Sequence, residues 1–173
     1  MKNYVPIGLL DNFALGVYRP VHWNDFIDTP NQVILNLGAG KKLIEGTVSL
    51  DVPEWYADMD MPFEDDSVDL ILAYHFFEHL DKNEILGTLL EVERILKVGG
   101  YMNIVTPHWS CEAAHQDLDH KSFWSESTWR NLFKNPFYDG TMPREWKLEE
   151  VQTVIVGLVE RNLMIVSQLV KNG

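Results

Sequence analysis

Val33-Ile34-Leu35-Asn36-Leu37-Gly38-Ala39-Gly40 decides how the rest of the chain reads. Its first five residues form a short apolar run rich in β-branched side chains, and Gly38 ends it. Such a run predicts a strand buried on both faces, as the strands of parallel sheets are. The two glycines let the backbone turn tightly after the strand and approach a ligand without Cβ contacts. Taken alone, Gly-Ala-Gly reads equally well as a simple turn. It is not the dinucleotide fingerprint, because the third glycine of G-x-G-x-x-G would fall at Leu43. Nor does the G-x-x-x-x-G-K-[ST] pattern of a phosphate loop occur.

Working outward, the apolar runs at 47–52, 68–73 and 101–106 predict three further strands, the last closed by Pro107. A helix is expected over 81–97. Asp81 stands at its N-cap with Glu84 at the capping-box position. Ile85, Leu89, Val92 and Leu96 line one stripe, and Lys97 with Gly99-Gly100 marks the end. A short helix after Ser125 runs toward Asn135-Pro136. Two closing strands, about 150–157 and 162–170, flank Leu158-Val159-Glu160-Arg161 and suit an antiparallel pair. Strand, crossover and strand in alternation imply an α/β fold with a mostly parallel sheet. Residues 1–30, with Pro6, Pro20 and Pro30, read as an N-terminal leader or lid. The expected organisation is a single domain over 1–173: a binding core at 31–107, a loop and helix at 108–149, and closing strands at 150–173.

Ligands of such sheets bind at the carboxyl ends of the strands. Asp51 lies at one such end, where a carboxylate can accept both hydroxyls of a ribose; a strand-end turn is the competing reading. Asp58-Met59-Asp60 precedes the third strand. A carboxylate there can accept from an adenine amino group while a backbone N–H serves the ring nitrogen, or the run is a solvated acidic loop.

The full order of motifs carries a resemblance. Leu35-Asn36-Leu37-Gly38-Ala39-Gly40, Leu50-Asp51, Met61-Pro62-Phe63-Glu64-Asp65-Asp66-Ser67-Val68-Asp69, Tyr74-His75-Phe76-Phe77-Glu78-His79-Leu80 and Glu93-Arg94-Ile95-Leu96-Lys97-Val98-Gly99-Gly100 resemble the class I S-adenosylmethionine-dependent methyltransferases. The resemblance spans about 33–107 and continues weakly through Asp117-Leu118-Asp119-His120. It implies a Rossmann-like sheet with helices on both faces, an antiparallel C-terminal strand pair, and S-adenosylmethionine as cofactor. By position, Leu37, Gly38, Ala39 and Gly40 would cradle the methionine part and ribose. Asp51 with Val52 would take the ribose hydroxyls, Asp58 and the Met59 backbone the adenine. Tyr74 and His75 would lie beside the sulfonium, a cation that an electron-rich neighbour suits.

The chain departs from the family at two places. Asn36 stands where many relatives have Asp, and Lys42 where many have a third glycine. The short segments after the first and second strands also imply truncated crossover helices.

Methyl transfer to a hydroxyl needs a base, and imidazole is the natural one near neutral pH. His75 and His120 lie where the family pattern repeats and are the candidate catalytic residues, with Asp117 as orienting partner. The competing reading is that Asp117 and His120 only pin their loop. Glu78-His79 reads as a pin for the following helix. His108, Cys111, His115, Asp117 and His120 match neither C-x2-C nor H-E-x-x-H, so no metal is expected. Trp109, Phe123, Trp124, Trp129, Phe133, Phe137, Tyr138 and Trp146 divide between core packing and a stacking platform for a sugar or planar acceptor.

Composition narrows the partners. The chain has 173 residues, 46 % of them apolar, and a formal net charge of −12. Its bases are scattered, which argues against a nucleic-acid substrate and an anionic membrane surface. One cysteine excludes an internal disulfide. No run reaches the roughly 20 apolar residues of a membrane span, and no signal peptide is evident, so a cytoplasmic protein is expected. The leading expectation is methyl transfer to a small-molecule or saccharide-like acceptor. The alternative is a cofactor-binding module without transfer, acting as sensor or partner subunit. A homo-oligomer is left open, and a nicotinamide oxidoreductase is disfavoured by Leu43 and the position of Asp51.

Overall fold

A computed structural model of the protein describes residues 32–41, 43–132, 146–155 and 163–171. Its strands are β1 (Ile34–Leu37), β2 (Val48–Leu50), β3 (Val68–Tyr74), β4 (Leu96–Pro107), β5 (Trp146–Ile155) and β6 (Leu163–Lys171). They form one sheet in the order β2-β1-β3-β4-β6-β5. The pairs β1/β2, β1/β3 and β3/β4 are parallel; β6 runs antiparallel to both β4 and β5. The mostly parallel Rossmann-like sheet with an antiparallel closing pair is therefore as expected. Residues 1–30, the stretch after Leu132 toward Pro136 and the separator 158–161 lie outside the described residues.

The apolar runs explain the layering. Ile34, Leu35, Ile71, Leu72, Ala73, Ile104 and Val105 are all buried, so the central strands are covered on both sides. Side chains alternate across a strand. Leu35, Leu37, Ile71, Ala73, Met102 and Ile104 join one core cluster with helix α1 (Lys82–Ile95), which contributes Ile85, Leu89, Val92 and Ile95. Trp129 of helix α2 (Glu126–Leu132) joins the same cluster. Within it, Trp124 and Trp129 stack with ring centroids 4.3 Å apart, and both meet Phe77 edge-on. These two tryptophans are thus core. Trp109 and Phe123 are exposed, and Phe123 stacks on His115.

Asp81 caps α1 as expected: Oδ1 accepts from the Asn83 and Glu84 N–H groups, and Glu84 Oε2 accepts from the Asp81 N–H. Two expectations need correction. The helix ends at Ile95 and passes straight into β4, so Gly99-Gly100 is not its cap. The glycines occupy a bulge, because β4 pairs Leu96 with Val68 and next Tyr101 with Leu70. A Cβ on Gly100 would stand 2.8 Å from the Lys97 carbonyl oxygen, which only glycine tolerates. The second correction concerns the short crossover helices after β1 and β2. Among the described residues both connections are turns and open loop.

What replaces them is a polar clamp. Arg94 on α1 donates to the Met61 and Phe63 carbonyls, to Asp65 and to both oxygens of Glu91. Glu91 Oε2 also accepts the Met61 N–H at 2.8 Å. The segment between β2 and β3 is thereby tied to α1 without a helix of its own.

Candidate active site

Three strand ends meet at the site. β1 and β3 are neighbours, with Leu37 paired to Ala73, so the turns after them lie side by side. From this pair the chain leads outward in opposite directions along the sheet, β1 to β2 and β3 to β4, the reversal of strand order at which a ligand crevice opens. Gly38, Ala39, Gly40, Lys41, Ile44, Asn36, Tyr74 and His75 line a cleft of about 370 Å³ there, a volume within the range of small-molecule sites.

Each residue's position has a local cause. Gly38 has φ +70°, and an added Cβ would lie 2.5 Å from the Phe76 ring. Its N–H donates to the Leu50 carbonyl, which brings β2's end beside the turn. Gly40 also has positive φ and, among the described residues, nothing within 4 Å of where a Cβ would stand, so its Cα lies open toward the cleft. Asp51 fastens the turn: one carboxylate oxygen accepts the Gly40 N–H, and the other accepts the Val52 N–H at 2.7 Å. Each oxygen keeps a second lone pair for a ligand hydroxyl.

His75 has φ +55°, a left-handed conformation that costs a non-glycine residue of order 1–3 kcal/mol. It is held there by its N–H, which donates to the Val105 carbonyl. Its ring Nδ1 lies 2.8 Å from Glu78 Oε1. Glu78 is buried, at 1 % exposure, and its backbone carbonyl accepts the Lys121 and Ser122 N–H groups. The 3-10 turn Phe77–His79 therefore carries an orienting carboxylate and is more than a pin for α1, which Asp81 caps. This role of Glu78 was missed in the sequence, although its three-residue spacing from His75 was visible.

The expected residues divide. Gly38, Ala39, Gly40, Tyr74 and His75 come together in the cleft, with Asp51 bonded to its rim. Leu37 is fully buried and can offer only backbone, and the Val52 side chain faces solvent. Asp58 is exposed. The Met59 N–H is bonded to the Tyr56 carbonyl, so it is not the donor expected for an adenine nitrogen. Asn36, Lys41 and Ile44 line the cleft without having been proposed. Asn36 was noticed only as a departure from the family.

On the far side of Glu78 the expectation also shifts. Asp117 does not orient His120: its carboxylate accepts the Asp119 N–H, and the ring Nδ1 of His120 lies 3.0 Å from the Ala114 carbonyl oxygen. Neither lines the cleft. His108 pairs with Ser110, His115 with the Trp109 carbonyl, and Cys111 is buried, so the five loop residues do not converge.

Comparison with known proteins places this geometry. An S-adenosylmethionine-dependent methyltransferase of Methanosarcina mazei superposes with a TM-score of 0.62 at 14 % identity, over 87 % of this chain and 97 % of that one. A protein of Bacillus halodurans described as a putative methyltransferase gives 0.61 at 14 % identity, with the same coverages. A third, from Haloferax volcanii, was solved in complex with the Trm112 methyltransferase activator; it gives 0.59 at 16 % identity, over 87 % and 88 %. These likenesses show the fold. No curated protein matches the chain. Residues 42–104 match the family described as Methyltransferase domain. That segment runs from the turn after β1 into β4, and over it the chain is similar to a methyltransferase domain. Among the described residues no helix is long and apolar enough to cross a membrane.

Proposed function

We propose that the cleft binds S-adenosylmethionine and that the enzyme methylates a hydroxyl of a small-molecule or saccharide-like acceptor, in the cytoplasm. The observation that carries this reading is the strained His75 lining the cleft with its Nδ1 on the buried Glu78 carboxylate. The residues present fit the cofactor: an open glycine turn, a carboxylate at its rim, and one cation and one amide in the lining. In this reading Asp51 accepts the ribose hydroxyls, and Gly38, Ala39 and Gly40 carry the methionine end. Asn36 and Lys41 supply polar contacts, and Tyr74 flanks the sulfonium. When bound, the cofactor supplies an activated methyl group.

The protein's own contribution is orientation and proton handling. With Nδ1–H donated to Glu78, the neutral imidazole has its lone pair on Nε2, where it takes the acceptor's proton. Glu78 fixes that tautomer and stabilises the imidazolium that forms, which makes it a positioning residue.

The test is single-substrate product analysis against a panel of small hydroxylated acceptors, by mass spectrometry. A methylated product is expected. His75→Ala should lower kcat by about 10²–10⁴-fold, the range for a lost general base, with cofactor affinity little changed. Glu78→Gln should lower kcat less, with cofactor affinity little changed. Cofactor binding with no product from any acceptor would favour the binding-module alternative. Loss of affinity with unchanged kcat in His75→Ala would move His75 from chemistry to binding.

A further inference from the structure

Behind the cleft, Glu78, whose Oε1 holds His75, lies with His79 and His120, two histidines to which the proposed methyl transfer gives no role. Among the described residues these form the one cluster of three ligating side chains, with one ligand atom from each lying no more than 4.8 Å from the others. Three observations single it out. Glu78 is 1 % exposed, and while Oε1 is engaged by His75, the buried Oε2 has no hydrogen-bond partner among the described residues. A buried carboxylate oxygen left unpaired is costly, and a cation is one way to compensate it. The His79 and His120 rings meet edge-on with centroids 4.8 Å apart, so both imidazoles face the same small space. The His120 Nδ1 lies 3.0 Å from the Ala114 carbonyl. That contact sets the proton on Nδ1 and leaves Nε2 with a lone pair, the way ligating histidines are held.

From these the geometry points to a zinc site with Glu78, His79 and His120 as protein ligands. Two imidazoles and one carboxylate are a known three-ligand set for zinc that leaves a fourth position for water. Bonds of about 2.0–2.2 Å put tetrahedral ligands roughly 3.4 Å apart, so the ion would draw the 4.8 Å group inward. The sequence spacing gives no hint of the set. Glu78 and His79 are adjacent on the 3-10 turn, and His120 comes from the loop after β4. That loop is brought alongside by the Lys121 and Ser122 N–H groups on the Glu78 carbonyl. Glu78 then bridges the ion and His75, so the metal would steady the carboxylate that orients the cleft histidine.

The inference stands on its own residues and does not need the acceptor assignment. Chelator-treated protein is titrated with Zn²⁺ by calorimetry and with Co²⁺ by visible absorption, and S-adenosylmethionine binding is measured separately. One ion per chain and a tetrahedral Co²⁺ band are expected. His79→Ala, His120→Ala and Glu78→Gln should each weaken Zn²⁺ binding at least about tenfold, since losing even an outer partner of a metal ligand costs that much. His115→Ala, outside the cluster in the same loop, should leave it unchanged. Circular dichroism identifies any variant that fails to fold, and the remaining two decide. Absence of stoichiometric binding, or equal affinity in folded His79→Ala and Glu78→Gln, would overturn the site.

Discussion

Single residues set the cleft through the backbone more than through their side chains. Gly38 is required because Phe76 occupies the space of its Cβ, and Asp51 anchors Gly40 and, in the proposed reading, also accepts the ribose hydroxyls. Asp51→Ala is therefore expected to weaken S-adenosylmethionine binding by about 1.5–3 kcal/mol, the scale of hydrogen bonds to a charged group. Calorimetry on the folded variant checks this, and unchanged affinity would refute the assignment. The glycines, Asp51, Tyr74 and His75 were legible in the sequence because strand-end position is encoded by short apolar runs and their terminators. The partner of His75 was not, since a Glu beside a His beneath a helix cap looks like helix punctuation. Which loop group bonds which partner depends on tertiary packing, and the Asp117 carboxylate takes the Asp119 N–H where the sequence suggested the His120 ring.

Elements show the same division. The capping box and apolar stripe of α1 were readable from spacing alone. The glycine pair after it was not, because Gly-Gly marks a helix end and a bulge equally well; only the register of β4 against β3 separates them. Arg94 and Glu91 stand in for the missing crossover helix after β2. Arg94→Ala should lower stability by about 1.5–3 kcal/mol, read from urea unfolding. The clamp also carries a pH signature. The Arg94 guanidinium holds the Glu91 carboxyl below its ordinary value, the Met61 N–H adding to this against burial. Burial of Asp69 works upward, but the Lys97 ammonium and the Val33 N–H outweigh it and hold that carboxyl low as well. A carboxyl lowered in the folded state contributes stability that is complete above its unfolded pKa and is lost as pH falls through the folded one. Stability should thus decline on acidification below about pH 5, and Glu91→Gln should flatten that decline in pH-dependent melts. An acid limb identical in Glu91→Gln would show that the clamp does not titrate with folding.

Across the whole molecule, alternation of strand and crossover was sufficient for a mostly parallel sheet, while the order β2-β1-β3-β4-β6-β5 comes from the structure alone. The connections after β1 and β2 carry turns where helices were expected, which leaves the cleft shaped by few residues, Lys41 and Ile44 among them. Net charge of −12 disfavours polyanionic acceptors, and the exposed Trp109 and Phe123 lie on the loop after β4. Acceptor identity was the part least legible, because it rests on side chains that converge only in space. The claim on which the proposed function depends is that the cleft at the ends of β1 and β3 holds S-adenosylmethionine. Calorimetric titration with S-adenosylmethionine, S-adenosylhomocysteine and NADH in parallel tests it most directly. Saturable binding of the first two, weakened in Asp51→Ala, with none of NADH, is the predicted result; NADH binding, or no binding of either adenosyl ligand, would contradict it.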